Sequence, residues 1–252
     1  MKLAIITGVS KGLGESVATL FLESGIHVLG ISRSKNDRLE KIAHKNNVKF
    51  HHYSCDVSKL DELEDTIEKL KVDIESYSPS LIYLINNAAV IDPINQASLL
   101  DNQAIIDHFQ INTIAPIVLM NQLLSYSTNA NRTFIGVNIT SGAADRAIYG
   151  WSAYCSSKAS INMYTKTVAL EQETLKTGHK IIAFNPGIMD TSMQQTIRSS
   201  SKESFKEVEK FKGYKETNQL RDTNSVGGVL IDILNDEASI ENGKIYHIHE
   251  YF

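Results

Sequence analysis

LAIITGVSKGLG (Leu3–Gly14) joins a short apolar run directly to three closely spaced glycines. The run Leu3–Thr7 is typical of a buried strand, and the spacing Gly8-x-x-x-Gly12-x-Gly14 predicts a tight turn into a helix. Such a turn can present backbone N–H groups to a pyrophosphate, although ordinary turn chemistry is the alternative. The segment therefore predicts the first strand, turn and helix of an α/β fold that binds a dinucleotide.

Beyond this segment, short apolar runs alternate with longer amphipathic stretches over residues 1–252. Continuous apolar runs are typical of strands covered on both faces, and the repeated order predicts one domain with a Rossmann-type, doubly wound parallel sheet flanked by helices. The predicted strands are Leu3–Thr7, His27–Ser32, Lys49–Ser54, Leu81–Asn86, Arg132–Thr140, Lys180–Asn185 and Lys244–Ile248. The predicted helices are Gly14–Glu23, Asn36–Lys45, Leu60–Ser76, Asn102–Ser125, Ala153–Lys176 and Asn224–Leu234.

The polar segment 191–220 interrupts this alternation directly after the sixth strand. Ligands of open α/β sheets bind beyond the carboxyl ends of the strands, so a helical insertion at this place is positioned to act as a lid. A solvated surface excursion is the equally good alternative.

Composition narrows the function classes. The chain has 252 residues, a net charge of −4 and 42% hydrophobic residues, which are ordinary values for a soluble globular protein. No long basic run indicates a nucleic-acid partner, and no apolar stretch is long enough to span a bilayer. The first residues indicate a strand and not a signal peptide, and the two cysteines, Cys55 and Cys155, give no disulfide framework. These features predict a cytoplasmic protein.

Tyr154 and Lys158 are four residues apart in a predicted helix, and Ser141 follows a predicted strand thirteen residues before the tyrosine. Positions i and i+4 share a helix face, and a cation beside a phenol lowers the pKa of the phenol. Tyrosine then becomes a usable proton donor, while a serine hydroxyl can hydrogen-bond a carbonyl oxygen. A buried tyrosine near a solvated lysine is the alternative for this pair taken alone.

The end of the second predicted strand indicates which dinucleotide binds. NAD sites place an acid there, but the first acid beyond this strand is Asp37. Arg33 lies where a 2′-phosphate would bind, and Lys11 is a second cation in the glycine turn. Unless both are ordinary surface charges, the pattern predicts NADP(H) as the cofactor. Asp56, after the third strand, is placed to accept a hydrogen bond from the adenine amino group.

Taken in order, these motifs resemble the short-chain dehydrogenase/reductase family, with matches over nearly the whole chain. The resemblance implies a seven-stranded sheet, a small carbonyl substrate, and a homodimer or homotetramer built on the helices 102–125 and 153–176. It implies a catalytic set of Ser141, Tyr154, Lys158 and Asn112. It also implies that the cofactor is bound by Gly8, Ser10, Lys11, Gly12, Leu13, Gly14, Arg33, Asp56, Val57, Asn87, Ala88, Tyr154, Lys158, Pro186, Gly187, Ile188 and Thr191.

Three shorter stretches resemble the sepiapterin-reductase-like branch of the family and, within it, bacterial benzil reductases that form (S)-benzoin: 149–155, 185–194 and 249–252. This resemblance implies NADPH-dependent reduction of one ketone of a 1,2-dicarbonyl to an α-hydroxy ketone. Two departures from common family patterns are Ala89, in place of a glycine, and the absence of a terminal Asp-Gly-Gly. The second departure argues against a 3-oxoacyl thioester reductase.

The substrate pocket is expected to be apolar and aromatic, with Ala143, Tyr149, Trp151, Met189 and Met193 as its walls, unless these are ordinary packing residues. Alternative functions are reduction of sepiapterin or of a 3-oxoacyl thioester, and redox sensing by an NADP-binding protein without catalysis. The last is disfavoured because both the tyrosine and the lysine are present.

The pairs Asp107-His108 and His51-His52 are predicted to lie at the surface, and the alternating histidines His247 and His249 are not expected to bind metal.

Overall fold

The computed structural model describes all 252 residues, Met1–Phe252, and contains seven strands and nine α-helices. The strands are β1 Lys2–Thr7, β2 His27–Ser32, β3 Phe50–Ser54, β4 Leu81–Asn86, β5 Thr133–Ile139, β6 Lys180–Asn185 and β7 Ile245–His247. The α-helices are α1 Gly12–Glu23, α2 Asp37–Lys45, α3 Leu60–Tyr77, α4 Asn102–Phe109, α5 Ala115–Asn129, α6 Ser152–Leu175, α7 Ser192–Arg198, α8 Val208–Glu216 and α9 Thr223–Asn235.

The strands form one parallel sheet in the order β3-β2-β1-β4-β5-β6-β7. Strand order reverses between β1 and β4, where an open α/β sheet leaves a crevice at the carboxyl ends of its strands. The predicted fold class is confirmed, and the predicted strand bounds lie within one residue of the observed ones.

Two apolar cores cover the two faces of the sheet. Side chains alternate along each strand, so that Ala4 and Ile6 pack on one face of β1 while Leu3 and Ile5 pack on the other. Residues of α1, α2 and α9 cover the first face, and residues of α3, α5 and α6 cover the second. Burial on both faces explains why these strands are apolar without alternation.

The predicted helix Asn102–Ser125 is wrong as a single element. It is divided into α4, a π-helical turn over Gln110–Ile114, and α5. Pro116 lies in the first turn of α5 and has no amide hydrogen to donate to the carbonyl of Asn112, so a regular α-helix cannot continue through this point. The π-helical turn places Asn112 in the interior, at 1% exposure.

Segment 191–220 folds as α7 and α8 and forms a third, smaller apolar cluster at the carboxyl edge of the sheet. Phe205, Val208 and Phe211 are buried there against Trp151. The two ends of the excursion are paired by backbone bonds, from Asp190 N to Arg221 O at 3.0 Å and from Arg221 N to Ile188 O at 3.1 Å. No helix of the protein has the length and apolar character needed to cross a membrane.

Candidate active site

The glycine turn after β1 depends on positions that exclude side chains. Gly8 has φ +75°, and a Cβ there would lie 2.8 Å from Nδ2 of Asn87. A Cβ on Gly14 would lie 2.3 Å from the carbonyl oxygen of Gly8. Helix α1 begins at Gly12 without a side-chain cap, so the amide groups of its first turn remain available to an anion.

Hydrogen bonds join this turn to the loop after β4. The hydroxyl oxygen of Thr7 accepts from the backbone N–H groups of Asn87 and Ala88, each at 2.9 Å. The side-chain amide of Asn87 in turn donates to Thr7 O at 2.9 Å. Both loops are therefore held in one arrangement at the point where strand order reverses.

The loops after β2 and β3 carry charged groups close to the glycine turn. Arg33 is exposed at the cavity edge and has no carboxylate within 4.0 Å, whereas Lys35 pairs with Glu40 at 2.8 Å. Asp56 accepts from Ser58 N at 3.1 Å and Ser58 Oγ at 2.8 Å. Burial acts to raise the pKa of Asp56, but these hydrogen bonds and the charge of Arg33 outweigh it and lower the pKa. Arg33, the predicted phosphate contact, thus has no carboxylate partner on these two loops.

Ser141, Tyr154 and Lys158 meet at the carboxyl end of β5. Ser141 begins a short 3₁₀ helix, and its hydroxyl accepts from Ala143 N at 3.2 Å. Tyr154 and Lys158 lie one turn apart near the start of α6, and both are buried. The ammonium of Lys158 donates to the carbonyl of Ile139 at 2.9 Å and lies 5.9 Å from the centroid of the Tyr154 ring.

The pKa values of this pair correct one expectation. Burial raises the pKa of Tyr154 to about 12, against a smaller lowering by its hydrogen bond with Ser141. Burial also lowers the pKa of Lys158 to about 8. The sequence predicts that Lys158 lowers the pKa of the tyrosine, but the net shift in this structure is upward, because burial of the phenol is the largest cause. Tyr154 is therefore protonated at neutral pH.

Asn112 lies behind this centre. Its amide oxygen accepts from Val90 N and its amide nitrogen donates to Val90 O, both at 2.8 Å. Its neighbour in space, His108, is 1% exposed, so its predicted surface position is wrong. Helix α4, which carries His108, packs against α6 at this point, and this packing buries the imidazole. No signal in the sequence distinguishes this histidine from the exposed His51.

The far wall of the site is aromatic. Trp151 stacks on Phe205 with ring centroids 4.8 Å apart and meets Tyr154 edge-on at 5.4 Å. The prediction of Tyr149 as a pocket wall is wrong, because its side chain is 42% exposed and lies under Lys206, outside the cavity. The intervening Gly150 has φ +87°, and this turn directs Trp151 inward and Tyr149 outward.

One cavity of about 690 Å³ runs between the glycine turn and this aromatic wall. The predicted residues that line it are Gly8, Ser10, Lys11, Gly12, Leu13, Arg33, Asp56, Val57, Asn87, Ala88, Ser141, Ala143, Trp151, Tyr154, Lys158, Pro186, Gly187, Ile188, Met189, Thr191 and Met193. Gly14, Asn112 and Tyr149 do not line it. Lining residues that were not predicted include Ile91, Arg146, Ile148, Ile197 and Phe211.

Gly14 and Asn112 instead contact residues that do line the cavity. Gly14 packs closely against Gly8, and Asn112 is hydrogen-bonded to Val90. Of the unpredicted residues, Phe211 and Ile197 come from α8 and α7, so only the folding of segment 191–220 brings them to the site. The structure contains no group of three or more His, Cys, Asp or Glu side chains arranged to hold a metal ion.

Comparisons with known proteins agree with this arrangement. A sequence model described as short chain dehydrogenase matches residues 2–202. A Bacillus subtilis protein named benzil reductase ((S)-benzoin forming) is 42% identical over 100% of both chains. A Bacillus cereus protein of the same name is 34% identical over 99% of this chain and 100% of its own.

Among solved structures, the YIR035C short chain dehydrogenase/reductase from Saccharomyces cerevisiae has a TM-score of 0.81 and 27% identity, covering 98% of this chain and 96% of that one. The family match extends over most of the chain, and the relatives at 42% and 34% identity are matched over their full length. The chain belongs to the short chain dehydrogenase family.

Proposed function

We propose that this chain is an NADPH-dependent carbonyl reductase that reduces one ketone of a 1,2-dicarbonyl such as benzil, giving an α-hydroxy ketone of the (S)-benzoin type. One observation carries the proposal: Ser141 and Tyr154 line the same cavity as both the glycine turn and the aromatic wall of Trp151. The names of the two Bacillus relatives support benzil as the substrate.

The cofactor end fits a dinucleotide phosphate. The glycine turn leaves room that a Cβ would fill, and Arg33 offers a guanidinium free of any carboxylate. No acid pairs with Arg33, and Asp37, the first acid after β2, pairs instead with Lys35 at 3.6 Å. We assign Arg33 and Lys11 to the 2′-phosphate. Bound in this cradle, the reduced nicotinamide would supply the hydride to the ketone carbon.

The catalytic residues act on the carbonyl oxygen. Because its pKa is raised to about 12, Tyr154 holds its phenolic proton until negative charge develops on that oxygen, and then donates it. The Ser141 hydroxyl donates a hydrogen bond to the same oxygen and stabilises the developing charge. Burial of Tyr154 excludes bulk water and strengthens both interactions.

Lys158 and Asn112 complete the proposed proton path. The ammonium of Lys158 is anchored on the carbonyl of Ile139, one helical turn from the tyrosine, which places a cation close to the phenolate that proton donation leaves. The π-helical turn removes the carbonyl of Asn112 from a regular α-helical ladder, since Pro116 cannot donate to it. We propose that this carbonyl holds a water that returns a proton to the site.

The substrate end favours flat apolar ligands. Trp151, Phe211, Ile148 and Met193 line it, and aromatic rings pack well against such side chains. A diaryl diketone matches this lining better than a flexible thioester does. Segment 191–220, which supplies two of these residues, is proposed to be the lid that closes over the substrate.

We also propose that two or four copies associate through α5 and α6. Exposed apolar side chains lie on α6, at Met163 and Leu170, and on the turn before α5, at Ile114. Light scattering coupled to gel filtration measures the assembly. A monomer at micromolar concentration would rule it out.

The function is tested by NADPH oxidation with benzil, sepiapterin and an acetoacetyl thioester as competing substrates. We expect the largest kcat/KM for benzil, a chiral product with an excess of (S)-benzoin, and a higher KM for NADH than for NADPH. Faster reduction of sepiapterin or the thioester would favour a related reductase. Binding of NADPH without turnover of any ketone would indicate a sensor and not an enzyme.

A further inference from the structure

His108 is a buried histidine to which the proposed reaction gives no role. It lies at the end of α4 at 1% exposure, and its ring meets Tyr154 edge-on at a centroid distance of 6.1 Å. Its Nδ1 lies 2.6 Å from the carbonyl oxygen of Asp92. A carbonyl only accepts, so Nδ1 carries the proton and Nε2 of the neutral ring is an acceptor.

Nε2 faces two groups of the active site. The side-chain nitrogen of Asn112 and the hydroxyl of Ser157 each lie 3.0 Å from it. One N–H of the Asn112 amide donates to Val90 O, so the second is available for His108. Ser157 immediately precedes Lys158, and its hydroxyl also reaches the Tyr154 carbonyl at 2.9 Å.

We propose that neutral His108 is the positioning residue that holds the Asn112 turn, the loop after β4 and the start of α6 in their reactive arrangement. This inference rests on the proposed ketone reduction. One imidazole contacts all three elements: Asp92 on the loop, Asn112 on the π-helical turn and Ser157 on α6. The residues it connects lie directly behind Tyr154 and Lys158.

Protonation would break this connection. An N–H at Nε2 would face the N–H of Asn112, donor against donor, and only the Ser157 hydroxyl could accept it, so the hydrogen bond that connects His108 to Asn112 would be lost. Burial is the largest influence on the pKa of His108 and lowers it. The carbonyl of Asp92 raises this pKa, the charge of Lys158 lowers it, and the carboxylate of Asp92 raises it. The net shift is downward from 6.5. The neutral form therefore predominates at pH 7, and kcat falls as the pH is lowered through the folded pKa of His108, which lies below 6.5.

Two substitutions distinguish the hydrogen bonds of His108 from the space that its ring fills. His108→Phe keeps a ring but removes the polar contacts with Asp92, Asn112 and Ser157, and we expect kcat to fall roughly tenfold, with KM for NADPH within about twofold of wild type. His108→Gln offers a carbonyl oxygen where Nε2 accepted and does not titrate. We expect it to restore most of kcat and to abolish the loss of activity at acid pH.

Exposed His44 on α2 provides the control, since His44→Gln should leave the pH profile of wild type unchanged. A wild-type kcat in His108→Phe, or an unchanged acid limb in His108→Gln, would overturn the proposal. If His108→Phe does not fold, the glutamine variant alone decides.

A readout without substrate keeps this test separate from the proposed function. The folded pKa lies below the unfolded value of 6.5, so folding stability is lost as the pH falls from 6.5 through the folded pKa. The Tm of wild type should then drop more than that of His108→Gln between about pH 7 and about pH 5. An equal drop in both proteins contradicts the role of His108 whether or not benzil is reduced.

Discussion

The cofactor end and the substrate end of the cavity are built in different ways. The first consists of glycines, backbone amides and a few charged side chains on loops directly after β1 to β4, such as Gly8 and Arg33. The second consists of side chains that meet only through α6, α7 and α8, such as Trp151 and Phe211. If the proposed function is right, short-range backbone chemistry determines cofactor binding, and long-range packing determines which ketone enters.

Tyr154 is where the two ends meet, and its substitution has the largest expected effect. Tyr154→Phe removes the proton donor and should lower kcat by about 10²–10⁴. The dissociation constant of NADPH, measured by fluorescence titration, should stay within a few-fold of wild type. Turnover near the wild-type level would show that another group protonates the ketone.

Substitution of Lys158 measures how much the buried charge of the site lowers the stability of the fold. Burial lowers its pKa from 10.5 to about 8, which corresponds to a penalty on the order of 3 kcal/mol for the buried charge at neutral pH. Lys158→Met should lower kcat by less than Tyr154→Phe does and raise Tm at pH 7. The unfolded chain binds the extra proton between about pH 8 and 10, so wild-type stability should recover across that range.

The methionine variant lacks this titration, and its Tm should not show that recovery. Measurements of Tm against pH for both proteins show whether the buried charge of Lys158 destabilises the fold. A variant less stable than wild type at every pH would mean that the Lys158–Ile139 hydrogen bond outweighs the burial of charge.

Arg33 tests the cofactor end alone. Arg33→Ala should raise KM for NADPH roughly 10- to 100-fold, the range expected for a lost charge-assisted hydrogen bond, and leave KM for NADH unchanged. Arg38→Ala removes a nearby guanidinium that pairs with Glu15 and does not line the cavity. Equal effects of the two substitutions would mean that Arg33 contributes only general positive charge.

Phe211 tests the substrate end alone and has the smallest expected effect. Phe211→Leu should raise KM for benzil roughly five- to tenfold through lost aromatic contact, with KM for NADPH unchanged. Tyr149→Leu is the matched control, since that ring lies outside the cavity. If the control alters KM for benzil and Phe211→Leu does not, the assignment of the aromatic wall is wrong.

The accuracy of prediction from the sequence follows the same division. The strand bounds and the glycine turn were predictable because both depend on neighbouring residues. The break at Gln110–Ile114 was indicated by Pro116, whose missing amide hydrogen interrupts the ladder, yet the apolar pattern continues through it. Tyr149 was misplaced because the positive φ of Gly150 reverses the direction of adjacent side chains, and a pattern of residue types does not contain that angle.

The order of the amino acids alone predicts a doubly wound parallel sheet, a glycine turn suited to a dinucleotide and the Tyr154–Lys158 pair with Ser141, because strand periodicity, glycine spacing and i,i+4 helix spacing are local properties. The burial that raises the pKa of Tyr154 and the buried position of His108 behind the site arise only in the folded chain. Both depend on which helices pack against α6. Solvent exclusion is a property of the assembled layers, so no window of sequence contains it.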